Sequence, residues 1–171
     1  MFYYNDVISN DALFSSEYPI TEVDDIIYEV DCEHITIPRP GAGIEIGSDG
    51  APFDADEGLV EGDTITVNNL IHEFGLQPID LTKHEFGSLL KGYARSIMDY
   101  LQKHNSGRLD QSGKGSTAYA KRIMEHYADY QFYLGERYNQ GAMVMLLRYR
   151  EDGHTPYFTF WKDGLKEQRL T

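Results

Sequence analysis

Thr82-Lys83-His84-Glu85 opens the stretch of this chain that most firmly dictates its own secondary structure. A threonine with a glutamate three positions later forms a capping box. The hydroxyl accepts from the Glu85 amide, and the carboxylate accepts from the Thr82 amide. Behind the box, Phe86, Leu89, Leu90, Tyr93, Ala94, Ile97, Leu101 and His104 recur at helical spacing. This predicts an amphipathic helix over 82–104, although Gly87 and Gly92 each cost roughly 0.5–1 kcal/mol relative to alanine. NSGRLDQSGKGS (105–116) reads as a Gly/Ser-rich link. A second helix then carries Tyr119, Ala120, Ile123, Met124 and Tyr127 on one face. Two such helices joined by a short link make an antiparallel hairpin over about 82–128.

The rest reads as β. FYYN (2–5), IIYEVDCEHITI (26–37), TITVNNLIHEF (64–74), YQFYLGE (130–136), MVMLLRYRE (143–151) and TPYFTFWK (155–162) are rich in β-branched and aromatic residues. MVMLLRY is apolar on both faces, as a covered central strand would be, and Glu151-Asp152-Gly153 marks a tight hairpin behind it. Asp11 to Phe14, followed by Ser15-Ser16, reads as a turn of helix and a corner. Between Pro38 and Asp63 the pattern dissolves into an acidic, Gly-rich run, predicting a long mobile loop that cannot offset its ordering cost by burial. The class is α+β, and 171 residues suit a single domain.

The formal charge is −13 at pH 7. It is unevenly spread: residues 82–126 hold eight bases against four acids, leaving an acidic body around a basic helical insert. That balance argues against general nucleic-acid binding and favours contact with basic patches on other proteins. No run of about 18 apolar residues spans a membrane, and MFYYNDVISND lacks the pattern of a signal peptide. A lone cysteine, Cys32, excludes an internal disulfide and a Cys-based zinc site, and the expected compartment is reducing cytoplasm.

Enzyme chemistry finds little purchase. QSGKGS (111–116) departs from a phosphate loop: the glycine spacing is wrong, glycine follows the lysine, and no strand precedes it. Cys32 and His34 share a strand face, but a nucleophile pair also needs an orienting group, and a buried structural thiol is the plainer reading. The histidines show no HExxH spacing. Asp54, Asp56 and Glu57 begin like a calcium loop, yet Gly58 is one place early and Ile65 stands where the bidentate glutamate belongs. Any calcium there is expected to be weakly held, of roughly millimolar order. Glu136 has no acid or histidine at short spacing to tune it for catalysis. A carboxylate after Gly135 at a strand end is either a turn residue or a surface contact.

YxxYQFYLGE with MVMLLRYREDGHTPYFTFWKDGL, YxDxISNDxxFS from Tyr4 to Ser15, and LTKHEFGSLLKGYARSIMDYL together resemble the translationally controlled tumour protein family over nearly the whole chain. IGSDGAPFDADEG matches the family's first signature loosely. The resemblance implies an Mss4-like β-rich core, small sheets packed as a β-tent, with a projecting helical hairpin and a mobile acidic loop. The Mss4 zinc does not carry over, because its cysteines are missing here.

The resemblance further implies a non-enzymatic, mainly monomeric cytoplasmic adaptor linked to growth and protein synthesis, with no required cofactor. The associated partners are calcium, tubulin and microtubules, elongation factor 1A and its exchange factor, and Ras-like GTPases. Alternatives are a guanine-nucleotide exchange factor and a calcium-binding, chaperone-like protein. The resemblance points to Asp11, Phe14 and Glu136 as partner-binding residues; the charge distribution adds a basic hairpin face of Lys83, Lys91, Arg95, Lys103, Lys121 and Arg122, and the acidic loop adds Asp54, Asp56 and Glu57 as weak calcium ligands. Two departures stand out. Ala12 replaces an acid often found after Asp11, and DQSGKGS replaces Pro, Arg and aromatic residues at the start of the second helix.

Overall fold

A computed structural model describes residues 1–40 and 61–170 of the chain. Its strands form three antiparallel sheets. The largest runs β3 (Ile20–Val23), β4 (Ile27–Asp31), β10 (Pro156–Trp161), β9 (Met145–Tyr149), β8 (Gln131–Leu134) and β7 (Gln77–Ile79). A second places β1 (Phe2–Asp6) between β11 (Leu165–Arg169) and β2 (Ala12–Ser15). A third pairs β5 (His34–Pro38) with β6 (Thr64–Asn68). Helix α1 spans Asn69–Phe74, and α2 (Lys83–His104) and α3 (Leu109–Glu125) form the hairpin. The chain is α+β, and β9 occupies the interior position that its two-faced apolar sequence demands, with Met145, Leu146 and Leu147 all buried.

The core joins the two larger sheets and the three helices. Phe14, Phe86, Phe158 and Phe160 are fully buried, each contributing roughly 1.5–3 kcal/mol by leaving water. Phe14 packs on Phe160 with ring centroids 4.3 Å apart, and Phe86 on Phe132 at 4.6 Å. The capping box is present as expected: Glu85 N donates to Thr82 Oγ1 (3.1 Å), and Thr82 N to Glu85 Oε1 (2.9 Å). Phe86, Tyr93, Ile97 and Leu101 of α2 and Tyr119 and Ile123 of α3 belong to the same core. Ala94 and His104, expected on that face, are exposed. The hairpin therefore lies along the body on one face and is pinned at its turn. There Arg108 pairs with Asp25 (2.6 Å) and Asp163 (2.7 Å).

Three local expectations are corrected, and one strand is added. Residues 12–15 are a strand, not a turn of helix. Leu13 and Phe14 bury their side chains, Tyr4 pairs with Phe14, and the two rings stack at 4.5 Å. The segment 64–74 changes from strand to helix at Asn68, whose Oδ1 accepts from Leu70 N (2.9 Å) and Ile71 N (3.1 Å). The supposed link 105–116 is mostly helix, since α3 already begins at Leu109. Packing overrides propensity there: a Cβ on Gly115 would overlap the Ile26 side chain, so close approach to the body selects glycine. The charged strand β11 was not anticipated at all; it pairs with β1 along its whole length.

The acidic loop is anchored at both ends. Pro38 pairs with Thr64 across β5 and β6, and Arg39 N donates to Asp63 O (2.7 Å). Mobility is expected over Pro38–Asp63, and residues 41–60 of that segment lie outside the described residues.

Candidate functional site

The Gly135-Glu136 step is explained by a residue far away in sequence. Asp11 ends the β1–β2 turn, and its carboxylate presses against the Gly135 backbone. A Cβ on Gly135 would stand 2.5 Å from Asp11 Oδ2 and 3.0 Å from Asp11 Cβ, so a side chain at 135 would collide with it. The same carboxylate accepts from Arg137 N (3.3 Å) and ion-pairs with Arg137 Nε (3.4 Å). The Arg137 guanidinium also donates to Ser9 O (3.1 Å). Asp11 thus ties the loop after β8 to the turn after β1.

Asp6 makes a second tie between the same two loops. Its Oδ1 accepts from Ile8 N (2.8 Å) and Ser9 N (3.4 Å), and its Oδ2 from Met143 N (2.8 Å). Burial pushes this carboxyl above the usual range, and the three amides pull it partly back. Asn10 and Tyr138 take left-handed backbone conformations, with φ of 65° and 57°. Asn accommodates that readily; Tyr138 accepts the strain within a turn closed by its own N–H to Gly135 O (3.0 Å).

Glu136 stands on this frame. Its side chain is exposed and makes no hydrogen bond or ion pair among the described residues. Its stem lies over the end of α1. A Cβ on Gly75, itself left-handed at φ 65°, would meet Glu136 Cγ at 3.4 Å. Tyr138 beside it is 45% exposed and Ile8, on the facing turn, 36%. The patch is thus a free carboxylate, a guanidinium and two apolar side chains on loops fixed from beneath.

The three residues expected to contact partners therefore take different roles. Asp11 is buried beneath the loop and positions Arg137. Phe14 has no exposed surface; it is core, and its contact role is withdrawn because a fully buried ring touches no partner. Glu136 alone presents its side chain. Arg137 and Asp6 were not anticipated, since the contacts that tie the two loops together, Arg137 to Ser9 and Met143 to Asp6, join residues more than a hundred positions apart, and local spacing carries no trace of them.

All six expected hairpin bases are exposed, and none is ion-paired among the described residues. They do not form one face. At 100° per residue, Lys83, Lys91, Arg95 and Lys103 spread over roughly 200° of α2. Arg122 lies over the Tyr119 ring, 4.8 Å from its centroid. Asp54, Asp56 and Glu57 lie outside the described residues, and no group of three or more His, Cys, Asp or Glu among those described is placed to hold a metal ion.

The Cys32–His34 pair does not assemble. Cys32 is buried, donates to Val30 O (3.6 Å), and is pushed up to about 12 by burial. His34 instead meets Tyr149, whose hydroxyl lies 3.3 Å from Nε2. A thiol held neutral is a poor nucleophile. No helix among the described residues is long and apolar enough to cross a membrane.

The family model described as translationally controlled tumour protein matches residues 1–166. A translationally-controlled tumor protein homolog from Schizosaccharomyces pombe is 43% identical over 170 residues, covering 99% of this chain and 100% of the relative. One from Saccharomyces cerevisiae is 36% identical over 170 residues with the same coverage. The solved structure of the translationally controlled tumor-associated protein p23fyp from Schizosaccharomyces pombe matches with a TM-score of 0.83 at 43% identity, covering 99% of this chain and 100% of that one. The Caenorhabditis elegans translationally-controlled tumor protein, 20% identical with a TM-score of 0.68 and full coverage of both chains, shares the fold. The chain belongs to the translationally controlled tumour protein family.

Proposed function

We propose that this protein is a non-enzymatic, multi-partner cytoplasmic adaptor linked to growth and protein synthesis. Its partners under this reading are the elongation factor 1A machinery, Ras-like GTPases and tubulin, and calcium is held loosely by Asp54, Asp56 and Glu57. The observation that carries the contact site is Glu136: an exposed carboxylate, unpaired among the described residues, on loops braced by Asp11 and Asp6. A loop braced before binding loses little backbone freedom on binding, so the carboxylate it presents suits recognition of a basic partner.

The test is a titration of purified elongation factor 1A, a Ras-like GTPase and tubulin against wild type, Glu136→Gln and Glu136→Lys. Neutralisation leaves the melting temperature unchanged and weakens association by about 1–3 kcal/mol, and reversal weakens it further. Indifference of all three partners to both substitutions would remove Glu136 from the interface. A nucleotide-release assay on the GTPase separates the adaptor from an exchange factor.

A further inference from the structure

A cavity of about 340 Å³ opens between α2 and α3, with Ile26 and Trp161 of the body as its floor. Leu90, Met98 and Met124 make its walls, and the small side chain of Ala94 stands exposed at its mouth. An apolar cavity of about 150 Å³ holds one benzene, so this slot has room for a longer or bicyclic apolar group. It is far too small for a helix, which needs a groove about 10 Å across.

Two lysines also line the slot, Lys91 on α2 and Lys121 on α3. The packing of the hairpin sets them at one level. A Cβ on Gly87 would stand 3.4 Å from Met124 Cε, and one on Gly113 would stand 2.9 Å from Met98 Cε. That antiparallel register places Lys91 opposite Ala120 and Lys121. Both lysines are exposed, and neither has an ion pair among the described residues. The acid lining the slot, Asp163, is already taken by Arg108 through two bonds of 3.0 and 2.7 Å. The hydroxyls of Ser116 and Thr117 are turned back onto the carbonyls of Ser112 and Gly113. An apolar slot under two unpaired positive charges stands out on a chain of net charge −13.

We propose that this slot binds a small amphipathic anion, with the apolar body between the helices and the acidic head between Lys91 and Lys121. The methionine walls adjust to different apolar shapes, so the site selects head charge more sharply than tail outline.

Octanoate, octanol and octylammonium, equal in chain length, test this by calorimetry and by amide chemical shifts. Octanoate binds about tenfold more tightly than octylammonium, with shifts centred on Ala94, Thr117 and Ala120. The double substitution Lys91→Glu/Lys121→Glu loses that preference while its binding of octanol is retained. Ala94→Trp, at an exposed position, blocks all three probes without lowering the melting temperature. Absence of octanoate binding, equal binding of octanoate and octylammonium, or shifts centred elsewhere overturns the proposal. Concentration-dependent dimerisation that Ala94→Trp abolishes and octanoate does not oppose would assign the slot to a second copy of the chain, and also overturns it.

Discussion

Arg108 grips Asp163 with two parallel bonds, Nε to Oδ1 at 3.0 Å and Nη2 to Oδ2 at 2.7 Å, fastening the turn of the hairpin to the start of β11. Both side chains are largely shielded, at 15% and 14% exposure, so the pair is weakly screened by salt. Arg108 also donates to Asp25 Oδ2 at 2.6 Å and Asp25 O at 2.8 Å, in a turn where Asp24 and Asp25 are both left-handed. Arg108→Ala leaves Asp163 without its partner and lowers unfolding free energy by about 2–3 kcal/mol in urea titration. Arg108→Lys keeps the charge and loses the fork, and recovers less than half of that. Full recovery by lysine would mean that only net charge matters at this joint.

Asp11 and Gly135 are coupled by contact, so their substitutions will not add. Gly135→Ala destabilises by about 1–3 kcal/mol, because the new methyl must displace a carboxylate that Arg137 holds. In an Asp11→Ala background the same substitution costs less, with a coupling of about 0.5–2 kcal/mol in a double-mutant cycle. Strict additivity would separate the two residues and remove the explanation given for the Gly-Glu step.

These two joints also mark where sequence reading stops. The start of α2 was legible because Thr82 and Glu85 carry their partners within three positions. The interior place of β9 was legible because Met145, Leu146 and Leu147 bury both faces. Arg108 and Asp163 are 55 positions apart, and Arg137 and Ser9 are 128 apart; nothing local announces such pairs. The early start of α3 was obscured by Gly113 and Gly115, which read as a link until Ile26 and Met98 are seen against them. β11, LKEQR, is mostly exposed, so no apolar period marks it. The exposure of Glu136 followed from its turn setting, but the Asp11 brace under it did not.

Cys32 links stability to pH at the alkaline end. Burial raises the native thiol from 9.0 to about 12, whereas the unfolded chain ionises near its ordinary value. The native state therefore retains a proton that the unfolded state has lost. This contribution is fully present below about pH 9 and is lost as pH rises toward about 12. The expected slope from this group is roughly 1 kcal/mol per pH unit above pH 9. Tyr18 and Tyr93 are also raised by burial and add to the decline, so the readout is the difference between wild type and Cys32→Ala. Parallel pH profiles for the two proteins would show that the thiol ionises as easily folded as unfolded. A disulfide-exchange reagent at pH 8 provides a second check: the thiol stays unreacted in buffer and reacts in denaturant.

Gly92 and Gly115 sit in helix interiors yet respond oppositely to the same substitution. A Cβ on Gly92 meets nothing within 4 Å, and the residue is exposed in the middle of α2. Gly92→Ala removes backbone freedom from the unfolded chain at no steric cost, and raises stability by about 0.5–1 kcal/mol. Gly115→Ala gains the same helical preference but drives a methyl into Ile26, whose Cγ1 would lie 2.5 Å away with Cδ1 nearer still. The overlap outweighs the preference, and the variant loses about 1–3 kcal/mol. Ile26→Val removes Cδ1 and leaves Cγ1, so Gly115→Ala costs less in that background without becoming neutral. Thermal unfolding of wild type, the three single variants and the double variant decides the matter. A stabilised Gly115→Ala would mean that α3 stands off from the body at Ile26, contrary to the close packing that places glycine there.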